Sequence, residues 1–137
     1  MIVTTRPDTP SVPTIVVSRP GIMQQSLRAS LTACPSIAVV ASFGDGLTTL
    51  NQLARLHPGL LVIDSNLLEE EVDALLAAVK ARQPDIRCLV LVQTNVRHDQ
   101  LMAKGADVAI LRNGSAHDLQ DALSRLAQDT IDQLARD

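Results

Sequence analysis

The sequence predicts a doubly wound α/β domain, in which helices cover both faces of one parallel sheet. Five short apolar runs rich in Val, Ile and Leu alternate with five segments of helical periodicity, at intervals of about 20 to 25 residues. The third run, Leu60–Ile63, is apolar at every position, which is typical of a strand buried on both faces. This alternation implies right-handed crossovers between parallel strands.

Each predicted strand is an apolar run that a turn signal closes. Pro20 and Gly21 follow the first run, and Gly44 and Gly46 mark the turn after the second. The predicted strands cover residues 14–18, 37–42, 60–63, 88–92 and 106–111.

The predicted helices lie between these strands and place apolar residues at three- and four-residue spacing. Acidic residues over 69–73 suit the first turn of the third helix, where they favour the positive end of the helix dipole. Gly105 suits a helix C-terminus, and Ser115 with Asp118 suits a helix start. The helices are predicted from Ile22 to before Pro35, over 50–56, over 69–82, over 97–104, and from 115 onward.

The chain is predicted to hold one domain with a short segment at each end. Residues 1–13 carry three prolines and are predicted to form an extended lead-in. The domain is assigned to residues 14–128, and the final helix is expected to continue beyond it over 129–137.

Composition excludes several classes of function. A net charge of −3 and a single aromatic residue count against direct nucleic-acid binding, which uses basic patches and stacking rings. No apolar stretch approaches the ~20 residues that span a membrane, and residues 1–13 lack the apolar core of a signal peptide. Cys34 and Cys88 have no metal-ligand spacing, and Cys88 is expected to be a buried thiol. We therefore expect a cytoplasmic protein without metal, membrane or direct nucleic-acid partner.

Asp64 directly follows the third predicted strand. In open α/β sheets the binding and catalytic groups lie at the carboxyl ends of the strands. No glycine-rich phosphate loop follows the first strand, and no nucleophile stands with a matching base. The chain is therefore expected not to be an enzyme, with no catalytic residues.

Over about residues 14–128 the chain resembles the receiver domain of bacterial two-component response regulators, in particular those that precede helix-turn-helix domains. The resemblance implies a flavodoxin-like fold: a doubly wound five-stranded parallel sheet, in strand order 2-1-3-4-5, with five helices. It rests on Ile37-Ala38-Val39-Val40 with Gly44-Asp45-Gly46, on Leu60 to Asp64, on Pro84-Asp85-Ile86-Arg87 and on Gly105-Ala106-Asp107.

The resemblance places Asp64 at the phosphoacceptor position, but the rest of the phosphorylation pocket departs from the family's pattern. The acidic pair that helps to hold magnesium falls on Ser18 and Arg19. The hydroxyl position falls on Val92, although Thr94 could substitute if the loop shifts. Two further positions also differ: the lysine of the family falls on Arg112, and its switch aromatic falls on Ala109.

These departures predict a pseudo-receiver. Magnesium prefers several oxygen ligands, so one aspartate and a serine make a poor site. Arg19 is expected to pair with Asp64 and to take the place of the metal. Val92 and Ala109 cannot provide the family's conformational switch. No cofactor is expected, except magnesium if Asp64 is still phosphorylated.

The final helix keeps an apolar stripe to the end of the chain, and such a stripe is typical of a partner surface. Leu126, Ile131 and Leu134 are the predicted interface, and the partner is another protein or a second copy in a homodimer. A histidine kinase or an output domain is a further possible partner.

Three interpretations remain open. The first is an unphosphorylated interaction module in phosphorelay signalling or transcriptional control. The second is a receiver that a histidine kinase still phosphorylates on Asp64. The third is a small flavodoxin-like enzyme or ligand binder.

Overall fold

Five apolar runs form one parallel sheet in the order β2-β1-β3-β4-β5. The computed structural model describes residues 10–136. β3 lies at the centre with all four side chains buried, because strands on both sides and helices on both faces cover it. The strands are β1 (Val12–Val17), β2 (Ile37–Phe43), β3 (Leu60–Ile63), β4 (Arg87–Val92) and β5 (Val108–Leu111). This topology confirms the predicted flavodoxin-like fold class.

Helices cover the two faces of the sheet and bury two separate apolar clusters. α2, α3 and α4 pack on one face, and α1 and α5 pack on the other. Within the described chain no helix combines the length and apolar character required to cross a bilayer. The helices are α1 (Ile22–Thr32), α2 (Gly46–Leu56), α3 (Glu69–Arg82), α4 (Asn95–Ala103) and α5 (Ala116–Arg136).

β1 begins two residues earlier than predicted, inside the segment assigned to the lead-in. Val12 is buried, and its N–H donates to the carbonyl of Ser36 at 2.8 Å. Pro13 has no N–H to donate, but its carbonyl accepts from Gly59 N at 2.8 Å. The predicted lead-in, residues 1–13, is therefore too long at its end, because β1 already begins at Val12. Residues 1–9 of that prediction lie outside the described residues.

The end of α5 packs on the domain instead of projecting freely from it. Thr130 is buried, and Arg87 Nη2 donates to Gln133 Oε1 at 2.6 Å. The predicted interface is wrong for Leu126, which is 4% exposed and belongs to the core. Ile131 is half-buried against the same cluster, whereas Leu134 is 68% exposed and stays a candidate contact residue.

The two edges of the sheet differ. Thr14 of β1 pairs with Val39 of β2, and the next residue of β1, Ile15, pairs with Ala41. Val40 is therefore an extra residue that forms a β-bulge in β2. β5 pairs with β4 without interruption from Val108 to Leu111. A bulge interrupts the regular backbone geometry that a further strand needs for pairing. The β2 edge is therefore better protected than the β5 edge against pairing with another strand.

Candidate functional site

Asp64 lies directly after β3, at the carboxyl edge of the sheet. Its N–H donates to the carbonyl of Val17 at 2.9 Å, which extends the pairing of β3 with β1 by one residue. The Asp64 side chain is 0% exposed. A buried carboxylate is costly unless hydrogen bonds and an opposite charge compensate it.

Both carboxylate oxygens of Asp64 have partners. Ser18 Oγ donates to Oδ2 at 2.8 Å, and the backbone N–H of Ser65 donates to Oδ1 at 2.7 Å. Arg112 Nη1 lies 3.3 Å from Oδ1 and forms an ion pair with it. These groups supply the compensation that burial requires.

The predicted pairing of Arg19 with Asp64 is wrong. Arg19 follows Ser18 directly, and the backbone that turns Ser18 toward Asp64 sends the Arg19 side chain elsewhere. Arg19 Nη2 lies 3.4 Å from Glu71 Oε1, and its side chain is 48% exposed. Arg112, at the predicted lysine position, provides the cation instead.

Asn66 holds the first loop of the site and was not among the predicted site residues. Its Nδ2 donates to Ser18 Oγ at 3.1 Å, while its Oδ1 accepts from the N–H of Arg19 at 3.1 Å. Asn66 therefore orients the hydroxyl that contacts Asp64. Its place two residues after Asp64, in a run of small polar side chains, was the available signal.

Of the two predicted hydroxyl positions, Val92 and Thr94, only Thr94 carries a hydroxyl. Val92 is buried at 2% exposure. Thr94 caps α4, with its Oγ1 accepting from Arg97 N at 3.1 Å, although it lines the same recess of about 200 Å³ as Asp64. Ala109 is buried in β5 and offers no ring that could rotate. Thr94 is thus used for helix capping.

Several solved structures that match this fold are receiver domains of response regulators. The isolated receiver domain of RcsB from Salmonella enterica serovar Typhimurium, with the phosphomimetic BeF3−, matches at 23% identity and a TM-score of 0.77, over 86% of this chain and 89% of that one. The chain has the receiver-domain fold. The receiver domain of the response regulator NarL from Mycobacterium tuberculosis matches at 18% identity and a TM-score of 0.76, over 87% of this chain and 98% of that one.

A LuxR-family response regulator from an Aurantimonas species shows the same receiver fold, at 16% identity and a TM-score of 0.79, over 87% of this chain and 86% of that one. No family model matches the sequence. The curated proteins also contain no match to it.

The residues around Asp64 do not fit the magnesium ion of a receiver fold. The resemblance to receivers places Ser18 and Arg19 at the positions of the acidic pair, and Ser18 already donates to Asp64. Residues 10–136 contain no cluster of three His, Cys, Asp or Glu side chains suited to a metal. Magnesium needs several oxygen ligands, and Arg112 holds a fixed positive charge against the Asp64 carboxylate.

Asp73 ties α3 to α4 beside the recess. Arg97 Nη2 lies 2.8 Å from Asp73 Oδ1, and Lys104 Nζ lies 2.9 Å from Oδ2. Burial raises the pKa of the Asp73 carboxyl, but hydrogen bonds from Lys104 and Arg97 outweigh burial and hold the pKa below its usual value. The network fixes the outer wall of the recess.

Asp73→Asn is expected to lower the free energy of unfolding by about 1 kcal/mol at pH 7. A lowered pKa in the folded state means that the carboxylate stabilises the fold above its unfolded pKa of about 4, and that this stability is lost as the pH falls further. Urea unfolding should therefore separate variant from wild type at pH 7 and bring them closer at pH 3. An equal difference at both pH values would contradict this role.

Proposed function

We propose that this chain is an atypical receiver-like domain that serves as a protein–protein interaction module in two-component (phosphorelay) signalling or transcriptional control. In this proposal Asp64 is not phosphorylated in the usual magnesium-dependent way. The observation that carries it is the complete burial of the Asp64 carboxylate between Ser18, the Ser65 N–H and Arg112.

A carboxylate that accepts a phosphoryl group must present one oxygen to the phosphorus. Oδ2 of Asp64 accepts from Ser18, and Oδ1 accepts from Ser65 N and pairs with Arg112. Exposing either oxygen breaks a charge-assisted contact inside a buried site. Metal-assisted stabilisation of the transferring phosphoryl group also lacks its ligands here.

The residues on β4 and β5 support the same proposal. A receiver that signals through a strand-four hydroxyl and a strand-five aromatic needs both groups, and Val92 and Ala109 supply neither. Both are buried aliphatic residues in this structure. A binding surface that is always present suits such a domain better than one that phosphorylation switches on.

A receiver still phosphorylated on Asp64 by a histidine kinase is the second candidate, and the contact of Arg112 with Asp64 favours it. A guanidinium at that place could also stabilise phosphoryl oxygens.

A ligand binder or small enzyme is a third candidate, based on the recess of about 200 Å³ beside Asp64. A cytoplasmic location and a homodimer with Leu134 at its contact are further parts of the proposal.

Addition of beryllofluoride with magnesium is expected to leave the amide NMR signals of Ser65, Arg112 and their neighbours unchanged. The reason is that beryllofluoride needs a metal site and a free carboxylate oxygen to bind, and in this proposal Asp64 offers neither. Amide NMR is the suitable measurement because the sequence has no tryptophan or tyrosine for fluorescence. Asp64→Asn serves as the matched control, and a saturable shift that Asp64→Asn abolishes would support the second candidate instead.

A further inference from the structure

A groove of about 500 Å³ lies at the amino edge of the sheet, opposite the edge that holds Asp64. The loops before β3 and β4 and the end of α5 form its walls. Its volume lies within the range for ligand sites, about 300 to 1,000 Å³. We call it the amino-edge groove. The apolar side chains that line it belong to Val12, Pro13, Pro58, Pro84, Ile86 and Leu134.

The backbone in the floor of the amino-edge groove is already hydrogen-bonded. The N–H of Gly59 donates to the carbonyl of Pro13 at 2.8 Å, and the carbonyl of Gly59 accepts from Arg87 N at 3.1 Å. Pro13, Pro58 and Pro84 have no N–H to offer. The groove therefore offers apolar contact more than main-chain hydrogen bonds, and an apolar occupant suits it best.

The floor of the groove is closely packed. A Cβ atom added to Gly59 would lie 2.8 Å from Val12 Cγ1 and 3.3 Å from Thr130 Cγ2. The absence of a side chain at Gly59 thus lets β1, β3 and α5 approach one another. Leu134, one turn after Thr130 on α5, is 68% exposed beside this floor. Leu134 is therefore a preformed apolar contact, because little has to move when it is covered.

We propose that residues 1–9 of this chain bind in the amino-edge groove and place Ile2 and Val3 against Leu134. The segment would then act as a strap that covers Leu134 and keeps it from a second copy of the chain. The inference rests on the proposed homodimer contact for this consequence, since a second copy must displace the strap. It does not depend on the chemistry of Asp64.

The way in which the chain enters the sheet favours this occupant. Pro10 and Ser11 are exposed and lead directly into Val12, which lines the groove. Residues 1–9 are therefore attached at the rim of the groove, and nine extended residues reach up to about 30 Å. A tethered segment competes at an effective concentration on the order of millimolar. A second copy or another protein would have to match that concentration in order to displace it.

The composition of the segment also suits the groove. Met1-Ile2-Val3 is a run of three apolar residues, which complements the apolar lining. Arg6 and Asp8 add one charge of each sign. The groove also carries one charge of each sign, on Asp85 and Arg82, so that both charges of the segment can be paired.

Amide NMR of the 137-residue chain tests the docking. I2D/V3D is expected to shift the signals of Gly59, Ile86 and Leu134, because charged side chains are costly against an apolar lining and the strap leaves the groove. T4D/T5D is the matched control, since it adds the same two charges at the adjacent polar positions. The Ser65 signal, at the opposite edge of the sheet, should not move in either variant. Shifts no larger in I2D/V3D than in T4D/T5D would overturn the inference.

Sedimentation equilibrium tests the consequence for self-association. I2D/V3D is expected to dimerise at a concentration about tenfold lower than wild type, because Leu134 is uncovered in more of the molecules. Adding Leu134→Ala to I2D/V3D should reverse this gain. A dimer that I2D/V3D leaves unchanged or weakens would overturn the strap. Absence of a dimer in every variant would instead contradict the proposed homodimer contact, whereas the NMR comparison decides the docking independently of it and of the beryllofluoride result.

Discussion

Arg112→Met is expected to lower the free energy of unfolding by about 2–3 kcal/mol, because it leaves the buried Asp64 carboxylate without its cation. The value lies below that for fully buried pairs, since the Arg112 side chain is 24% exposed. Asp64→Asn should cost less, because an amide can still bond with Ser18 and the Ser65 N–H while carrying no charge. Urea denaturation of each variant measures the change.

A double-mutant cycle measures the coupling energy between Asp64 and Arg112. The variant carrying both Asp64→Asn and Arg112→Met should be more stable than Arg112→Met alone, because no uncompensated charge remains inside. Arg19→Met is the matched control: its partner Glu71 is 3.4 Å away at the surface, so a cost of about 0.5 kcal/mol or less is expected. If Arg112→Met cost no more than this control, Arg112 would not neutralise Asp64.

Leu61→Ala is expected to destabilise the domain by about 2–5 kcal/mol, which is typical of a cavity in a rigid core. Leu61 is 0% exposed and packs in the cluster under α2, α3 and α4. Because Asp64 directly follows β3, a shift of this strand should disturb the contacts of Asp64 with Ser18 and Arg112. Thermal and urea unfolding give the loss, and amide NMR reports the contacts at Asp64.

Leu47→Ala is the control for that substitution, since Leu47 is 71% exposed at the start of α2. Its loss should stay within about 0.5 kcal/mol. A similar cost for Leu61→Ala and Leu47→Ala would mean that β3 is not the centre of the core.

Local pattern was sufficient to predict β3, its burial and the position of Asp64 at its end. The strand order came from the resemblance to receivers, and the structure confirms it. The pairing of Asp64 could not be predicted locally. Arg19 was chosen because it follows the first strand, whereas the true partner, Arg112, depends on how the end of β5 approaches β3 across the intervening β4.

Two other differences have a similar physical origin. Helical periodicity placed Leu126 and Leu134 on one stripe, but only packing shows that the first is buried and the second exposed. Proline content suggested an extended start through residue 13, yet Pro13 contributes its carbonyl to a bond with Gly59.

The contact between Arg112 and Asp64 also constrains any attempt to engineer phosphorylation into this domain. Adding carboxylates at Ser18 and Arg19 would gather negative charge around Asp64 while the guanidinium still occupied Oδ1, so ligands for magnesium alone would be insufficient. Removing Arg112 first would leave an unpaired buried charge. The substitutions would have to be made together, because each one alone is expected to lower the stability of the domain, and only the complete set could allow phosphorylation of Asp64.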